Sequence, residues 1–282
     1  MNTILDNLIR QVHQKYPRPA QMSNSNCCFT DKDMRELLQK PDEDLGDEDF
    51  QALISISGCT GEYQESIYFL PLALRHCFIY GDDSFFACSA SIYFISCGER
   101  SDLVAVDGFM PGFVDCVSYL IDHFSSSYTV KSVCHDDGDV NKYVDGFDCL
   151  RNLLDCLLQY AKHSSLATET ILAMASPTAA PHHAALLVSL IYRWRCDYIM
   201  FGVRVKRWRD GDRSSALCSN LSSVVPPLMY PEIDDLVFND ELLAALYKRV
   251  EESNLITAET RPHWEGLKLD IEKGEVPFIA EE

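Results

Sequence analysis

The chain predicts a mainly α fold arranged as a two-part helical globule, on three observations. Apolar residues recur at helical spacing through most of its 282 residues, a length that suits one large domain or two modest ones. The stretch from Pro181 to Phe201 is apolar on more than one face, as a central helix packed by its neighbours must be. Between the halves, Tyr128 to Asn141 lacks apolar periodicity and reads as a linker, which divides the chain into an N-terminal helical domain, 1–127, and a C-terminal one, 128–282, built on the 181–201 helix.

Taken in order, Ile4, Leu5, Leu8, Ile9 and Val12 make Thr3 to Lys15 an amphipathic helix, stopped by Tyr16-Pro17-Arg18-Pro19. Thr30 with Asp33 resembles a capping box, and Met34, Leu37 and Leu38 then form a short helix ended by Pro41. The acidic run Asp42 to Asp49 reads as a solvated connection, and Phe50, Leu53 and Ile54 as the next short helix. Tyr63 to Tyr80 follows the register Ile67, Leu70, Leu74 and Phe78, with Pro71 either kinking the helix or placing its start near Tyr68. Asp83 is placed to cap Ser84 to Cys97, a run that fits a buried helix or a buried strand almost equally, with helix preferred. Pro111 opens a helix through Phe113, Val114, Val117, Leu120 and Ile121 that ends near Ser125 to Ser127.

Beyond the linker, Val144, Phe147, Leu150, Leu154, Leu157 and Leu158 mark a helix to about His163, and a shorter one spans Thr168 to Ala175. Pro181 suits the first turn of the central helix, where the missing N–H has no helical partner to lose. Val203 and Val205 alternate with Arg204 and Lys206, which predicts a short strand pair around 203–208 as the one departure from helix. Ser214 to Pro231 is loop-like, and Phe238 to Asn254 and Thr257 to Lys273 close the chain as two helices, the second capped by Thr257.

Charge bounds function next. Lys and Arg number 24 against 43 Asp and Glu, a formal charge of -19, so the surface as a whole repels nucleic acid and anionic membrane and suits a basic protein partner. The twelve cysteines include Cys77, Cys88, Cys97, Cys116, Cys149, Cys156 and Cys196 inside apolar runs, the setting of buried thiols rather than of a disulfide framework. Met1 to Val12 does not read as a signal peptide, and Ile67 to Tyr80 and Ala184 to Tyr192 are cut short of a membrane span by charges. A cytoplasmic protein is the expectation.

In the order Arg18-Pro19, Cys27-Cys28, Tyr68-Phe69-Leu70-Pro71 opening an apolar helix, and the helix Pro111 to Phe124, residues 18–124 resemble a bacterial family of uncharacterised small helical proteins. That family has a cysteine pair near its start and a central Tyr-Phe-Leu-Pro-like motif. The adjacency of Cys27 and Cys28 departs from its separated pair, which counts against a metal role. The resemblance implies a helical fold and a bacterial origin and carries over no catalytic residue.

Local chemistry is sparse. Asp137, Asp139, Asn141, Asp145 and Asp148 fall at positions 1, 3, 5, 9 and 12 of a calcium loop, but Lys142 occupies the turn position that wants glycine and Asp148 replaces the long bidentate glutamate. The competing reading is an acidic linker in which Asp145 helps cap the following helix. Cys27-Cys28, His76-Cys77, Cys134-His135 and His182-His183 lack the spacing of zinc ligand pairs. No nucleophile elbow, phosphate loop, dinucleotide glycine pattern or His-Glu-x-x-His occurs. The basic island Arg193, Arg195, Arg204, Lys206, Arg207, Arg209 and Arg213, with Trp194 and Trp208 interleaved, could take a phosphate or a nucleic-acid strand. In a chain otherwise at -23 it better suits pairing with the protein's own carboxylates or a second copy. No catalytic, cofactor-binding or metal-ligating residue is therefore assigned. The leading expectation is an acidic interaction protein that neutralises or regulates a basic protein partner, in the manner of an immunity protein or a defence-system subunit. The alternative is a hydrolase or nucleotide-handling enzyme whose site is assembled from distant Cys, His and Asp residues, including His76, His135, His182 or His183.

Overall fold

The computed structural model describes residues 3–23, 30–54, 62–96, 98–128, 130, 150–151, 153–154, 157–158, 164–209 and 231–273, and of 31, 82–83, 85, 96, 98, 127, 164, 196–209, 231–232, 234 and 273 only the backbone. Among them there is no strand, and the fold is mainly α. The chain forms two compact units, Met1–Ser127 with Asp145–Ala167, and Tyr128–Val144 with Thr168–Glu282.

In the first unit α1 (Thr3–Lys15) buries Leu5, Leu8 and Val12, one stripe of the predicted helix. The capping box forms as expected: the Asp33 amide donates to Thr30 Oγ1 at 3.2 Å, the Thr30 amide donates to Asp33 Oδ2 at 2.9 Å, and α2 (Asp31–Gln39) follows. The acidic run then departs from a solvated connection, since Asp42–Asp44 is a 3₁₀ turn and Asp47 opens α3 (Asp47–Ile54). At Pro71 the chain breaks rather than kinks. α4 (Tyr63–Ser66) ends in a turn, and α5 (Leu70–Tyr80) begins with the proline in its first turn, where no helical hydrogen bond is lost.

The run 84–97 resolves as α6 (Phe85–Ser96), entered through the 3₁₀ turn Gly81–Ser84. Its amphipathicity is weak because Ala87, Cys88, Ala90, Ile92, Phe94 and Ile95 are all buried, so periodicity could not separate helix from strand. Packing separates them. α3, α5 and α7 (Gly98–Val106) lie against α6, and Asp47 of α3 accepts the amides of Phe86 at 2.9 Å and Ala87 at 2.7 Å, groups that a helix start leaves without helical partners. α8 (Met110–Ser127) packs on α1 and α5. Its Gly112 allows the approach, because a Cβ there would stand 3.1 Å from Leu8 Cδ1. In the 150–158 stretch the described residues are helical; Leu150, Leu154, Leu157 and Leu158 are buried, as their spacing predicts, and Leu153 is buried with them.

In the second unit the central helix is α10 (Pro181–Arg209), which follows α9 (Ser164–Ala175). Ala184 to Tyr192 and Trp194 bury on all sides, except for the half-buried Arg193 between them. The predicted strand pair at 203–208 is corrected: this stretch continues α10. Propagating an already nucleated helix adds one hydrogen bond per residue, and two valines alternating with two cations supply no partner strand. α11 (Pro231–Val237), α12 (Asp240–Glu251) and α13 (Arg261–Lys273) pack against α10. α12 is capped by Asn239, whose side chain accepts the Leu242 amide at 2.9 Å. Thr257 stands four residues ahead of α13, where its hydroxyl accepts the Thr260 amide at 3.2 Å and its own amide donates to Thr260 Oγ1 at 2.9 Å. Tyr128, the first residue of the expected linker, is buried and its hydroxyl is hydrogen-bonded to Ser189 of α10.

Among the described residues no single helix is long and apolar enough to cross a membrane. The segments Glu99–Val106 and Met110–Ser126 reach that length only together, across a bend of 108°.

Candidate functional site

The most organised polar cluster of the first unit centres on Asp107. Its backbone ends α7: the Gly108 amide donates to Ala105 O at 3.0 Å and the Phe109 amide to Val104 O at 3.1 Å, the paired bonds of a Schellman turn, with Gly108 at φ 77°. The turn holds the Asp107 carboxylate, 12% exposed, against the end of α1 and the start of α4. Lys15 Nζ donates to Oδ1 at 2.6 Å, and Tyr16 and Tyr63 hydroxyls donate to Oδ2 at 2.6 and 2.9 Å. Burial pushes the Asp107 pKa upward, yet the three donors outweigh it and hold the carboxyl below its ordinary value. Burial and the same carboxylate push Tyr16 up to about 12 and raise Tyr63 as well. Both phenols are therefore fixed donors at neutral pH, and with every Asp107 contact satisfied the cluster is a latch rather than an acid–base pair.

Beside the latch lies a cleft of about 390 Å³ lined by Tyr16, Tyr63, Leu103 and Asp107, with Glu62, Gln64, Glu99 and Arg100. Arg100 is half-buried, donates to the Ile54 carbonyl at 3.0 Å and lies 5.2 Å over the Phe94 ring. Lys15 Nζ stands 5.5 Å from the Tyr16 ring and 5.7 Å from that of Phe109. Glu62 and Glu99 are exposed and make no ion pair among the described residues. Sequence reading missed this site because α7 was not recognised. The signal was present in Val106-Asp107-Gly108, an apolar run closed by a residue pair suited to a helix C-terminus.

A second cluster ties the acidic run to α1. Asp42 accepts Arg18 Nη1 at 2.5 Å and the Tyr68 hydroxyl at 2.5 Å, Arg18 also donates to the carbonyls of Leu38 and Lys40, and its guanidinium lies 5.8 Å from the Phe69 ring. The Tyr68 ring stacks on His13 at 3.9 Å, and burial lowers the His13 pKa. Arg18 and Tyr68-Phe69 thus meet in space, while Cys27-Cys28 lies outside the described residues. Asp49 pairs with Lys40 at 2.8 Å. Of the acidic run, Asp42, Asp47 and Asp49 are consumed internally, whereas Glu43, Asp44 and Glu48 are exposed and form no ion pair among the described residues.

The described histidines of the enzyme alternative are His76, His182 and His183. His76 sits between Phe50, at 5.3 Å, and Tyr80, at 4.4 Å, with its pKa lowered by burial, while the Cys77 thiol turns to the Ser84 carbonyl at 4.0 Å. His182 and His183 lie in the first turn of α10 with ring centres 4.2 Å apart, in the other unit. His135, the calcium-like loop 137–148 and the Cys134-His135 pair lie outside the described residues. No group of three or more His, Cys, Asp or Glu side chains suited to a metal ion occurs among the described residues. In the basic island Trp194 is fully buried, which removes it as a stacking platform. Arg195 donates to the Val237 carbonyl at 2.9 Å and pairs with Asp240 at 3.1 Å. The island's remaining side chains, from 196 to 213, lie outside the described set.

No family model, curated protein or solved structure matches this chain.

Proposed function

We propose that this is an acidic interaction protein that binds a basic protein partner and neutralises or regulates it, as an immunity protein or defence-system subunit does. The supporting observation is the division of labour within the acidic run. Three of its carboxylates are bonded inside the first unit, while Glu43, Asp44 and Glu48 carry exposed charge without ion pairs among the described residues. Residues 1–127 hold nineteen Asp or Glu against eight Lys or Arg, so 19 − 8 gives −11 of the total −19 in this part of the chain. A field of that sign raises the encounter rate of a cationic partner and suppresses anionic ones.

The test is to recover the basic partner from the native host and measure association by surface binding kinetics at low and moderate salt. The triple variant Glu43→Gln, Asp44→Asn, Glu48→Gln leaves the internal bonds of Asp42, Asp47 and Asp49 in place. It should slow association several-fold at low salt and change dissociation little, and raising salt should erase the difference. An unchanged on-rate at low salt removes this face from the reading. Failure to recover any basic partner transfers the case to the enzyme alternative.

A further inference from the structure

We propose that the cleft between α4 and α7 is the anchor pocket for a single long cationic side chain, an arginine or lysine presented by the basic partner. The inference rests on the interaction reading above and adds where that partner is gripped. Three features of the cleft carry it together.

The first is negative charge that no ion pair neutralises among the described residues. Lys15 neutralises Asp107 at 2.6 Å, and the Arg100 guanidinium is held at the Ile54 carbonyl at 3.0 Å, so the two lining glutamates outnumber the one remaining cation. Glu62, the N-cap residue of α4 and a member of its capping box with Glu65, and Glu99, in the first turn of α7, stand at the lining as exposed carboxylates without ion pairs among the described residues. An anion entering here would meet both of them, whereas a guanidinium or ammonium would complement them.

The second feature is the wall. A long basic side chain needs apolar surface for its methylenes and an acidic end for its head. Tyr16, Tyr63 and Leu103 supply the former, and Leu103 and its neighbour Val106 are already exposed, at 41% and 81%, on the α7 side. The third is a precedent within the same wall. Lys15 lies 5.5 Å from the ring centre of Tyr16, a lining residue, while its head reaches the Asp107 carboxylate, so one ring of this wall already receives an ammonium in the manner required of the second. The latch matters here because it fixes both phenols from below. The rings are held before any partner arrives, which lowers the ordering cost of binding. The cleft, about 390 Å³ and open to solvent on one side, can admit a single side chain.

The probe is the blocked tripeptide Ac-Gly-Arg-Gly-NH2, with Ac-Gly-Lys-Gly-NH2 alongside. The control carries citrulline, which keeps the shape of arginine and removes its charge. In tyrosine-labelled full-length protein, with Tyr16 and Tyr63 assigned through their Phe variants, the arginine peptide should shift both rings saturably in the millimolar range and the citrulline peptide should not. The double variant Glu62→Gln, Glu99→Gln should weaken binding about fivefold, as two exposed ion pairs are worth. Gln64→Glu, a change at an exposed lining position, should tighten it about twofold and keeps the test decisive if the double variant folds poorly. Absence of shifts at Tyr16 and Tyr63 up to about 20 mM peptide, equal shifts with citrulline, or an affinity indifferent to all three substitutions would each overturn the proposal. The two readings also separate from each other. A basic partner whose affinity falls with the Glu43, Asp44 and Glu48 variant but ignores Glu62→Gln, Glu99→Gln overturns the anchor pocket alone. Peptide binding in the cleft without any recoverable basic partner keeps the pocket and overturns the wider reading.

Discussion

Replacing Asp107 tests whether the latch holds the first unit together. The carboxylate accepts two phenolic hydroxyls and one ammonium, and its side chain is 12% exposed while that of Lys15 is 49% exposed. Hydrogen bonds to a charged group contribute about 1.5–3 kcal/mol each when removed singly, whereas a surface ion pair such as the one to Lys15 adds under about 1 kcal/mol. The two phenols share one oxygen and Tyr16 can turn to water, so the sum is not additive. Asp107→Ala should cost about 3 kcal/mol, and Asp107→Asn, which keeps a neutral acceptor, about half as much. Urea unfolding measures both, and hydrogen exchange should localise the loss to α1, α7 and α8.

The pH dependence gives an independent sign. The folded carboxyl is held below its ordinary value, so its contribution is complete above the unfolded pKa of about 4 and is lost as pH falls toward and through the folded value. The gap between wild type and Asp107→Asn should be constant from about pH 5 to 7 and close below about pH 4. At the alkaline end the sign reverses. Tyr16 is raised to about 12, so its contribution is complete below about pH 10 and drains away as pH climbs from 10 towards 12. A loss of under about 0.5 kcal/mol for Asp107→Ala, or a gap that persists unchanged to pH 3, would refute the reasoning.

Three other outcomes are expected. Asp47→Ala should lower stability by about 1–2 kcal/mol, because the amides of Phe86 and Ala87 lose their acceptor at the start of α6; an unchanged urea midpoint would count against that cap. Gly108→Ala should cost about 1 kcal/mol through backbone strain alone, as φ is 77° and nothing lies within 4 Å of the added Cβ; thermal melts of the purified variant check it. Cys77, Cys88 and Cys116 are buried thiols, and burial raises Cys116 to about 12, so all three should resist Ellman's reagent in the native protein and react on unfolding. Rapid native labelling at Cys116, identified by mass spectrometry, would contradict its burial.

The sequence by itself determined most helices, because a helix that packs by one face writes that face into its own residues. α1 and α2 are examples: the stripe Leu5, Leu8 and Val12 and the pair Thr30 and Asp33 are local signals read within a few positions. It also determined the acidic balance and the lack of local catalytic motifs. Tertiary structure decided what local signals cannot carry. α6 is apolar all round, so its helical state follows from the neighbours that cover it and from a carboxylate 39 residues earlier. The stretch 203–208 looked like a strand because two alternating valines resemble either pattern, and only continuity with α10 resolves them. Within the acidic run, carboxylates one or two residues apart end in opposite roles, with Asp42 and Asp47 bonded inward and Asp44 and Glu48 facing solvent. The Asp107 site joins residues 91 and 92 positions apart, Tyr16 and Lys15 among them. Spacing along the chain holds no record of such a meeting, because it is made by the packing of α1, α4 and α7 and not by any one of them.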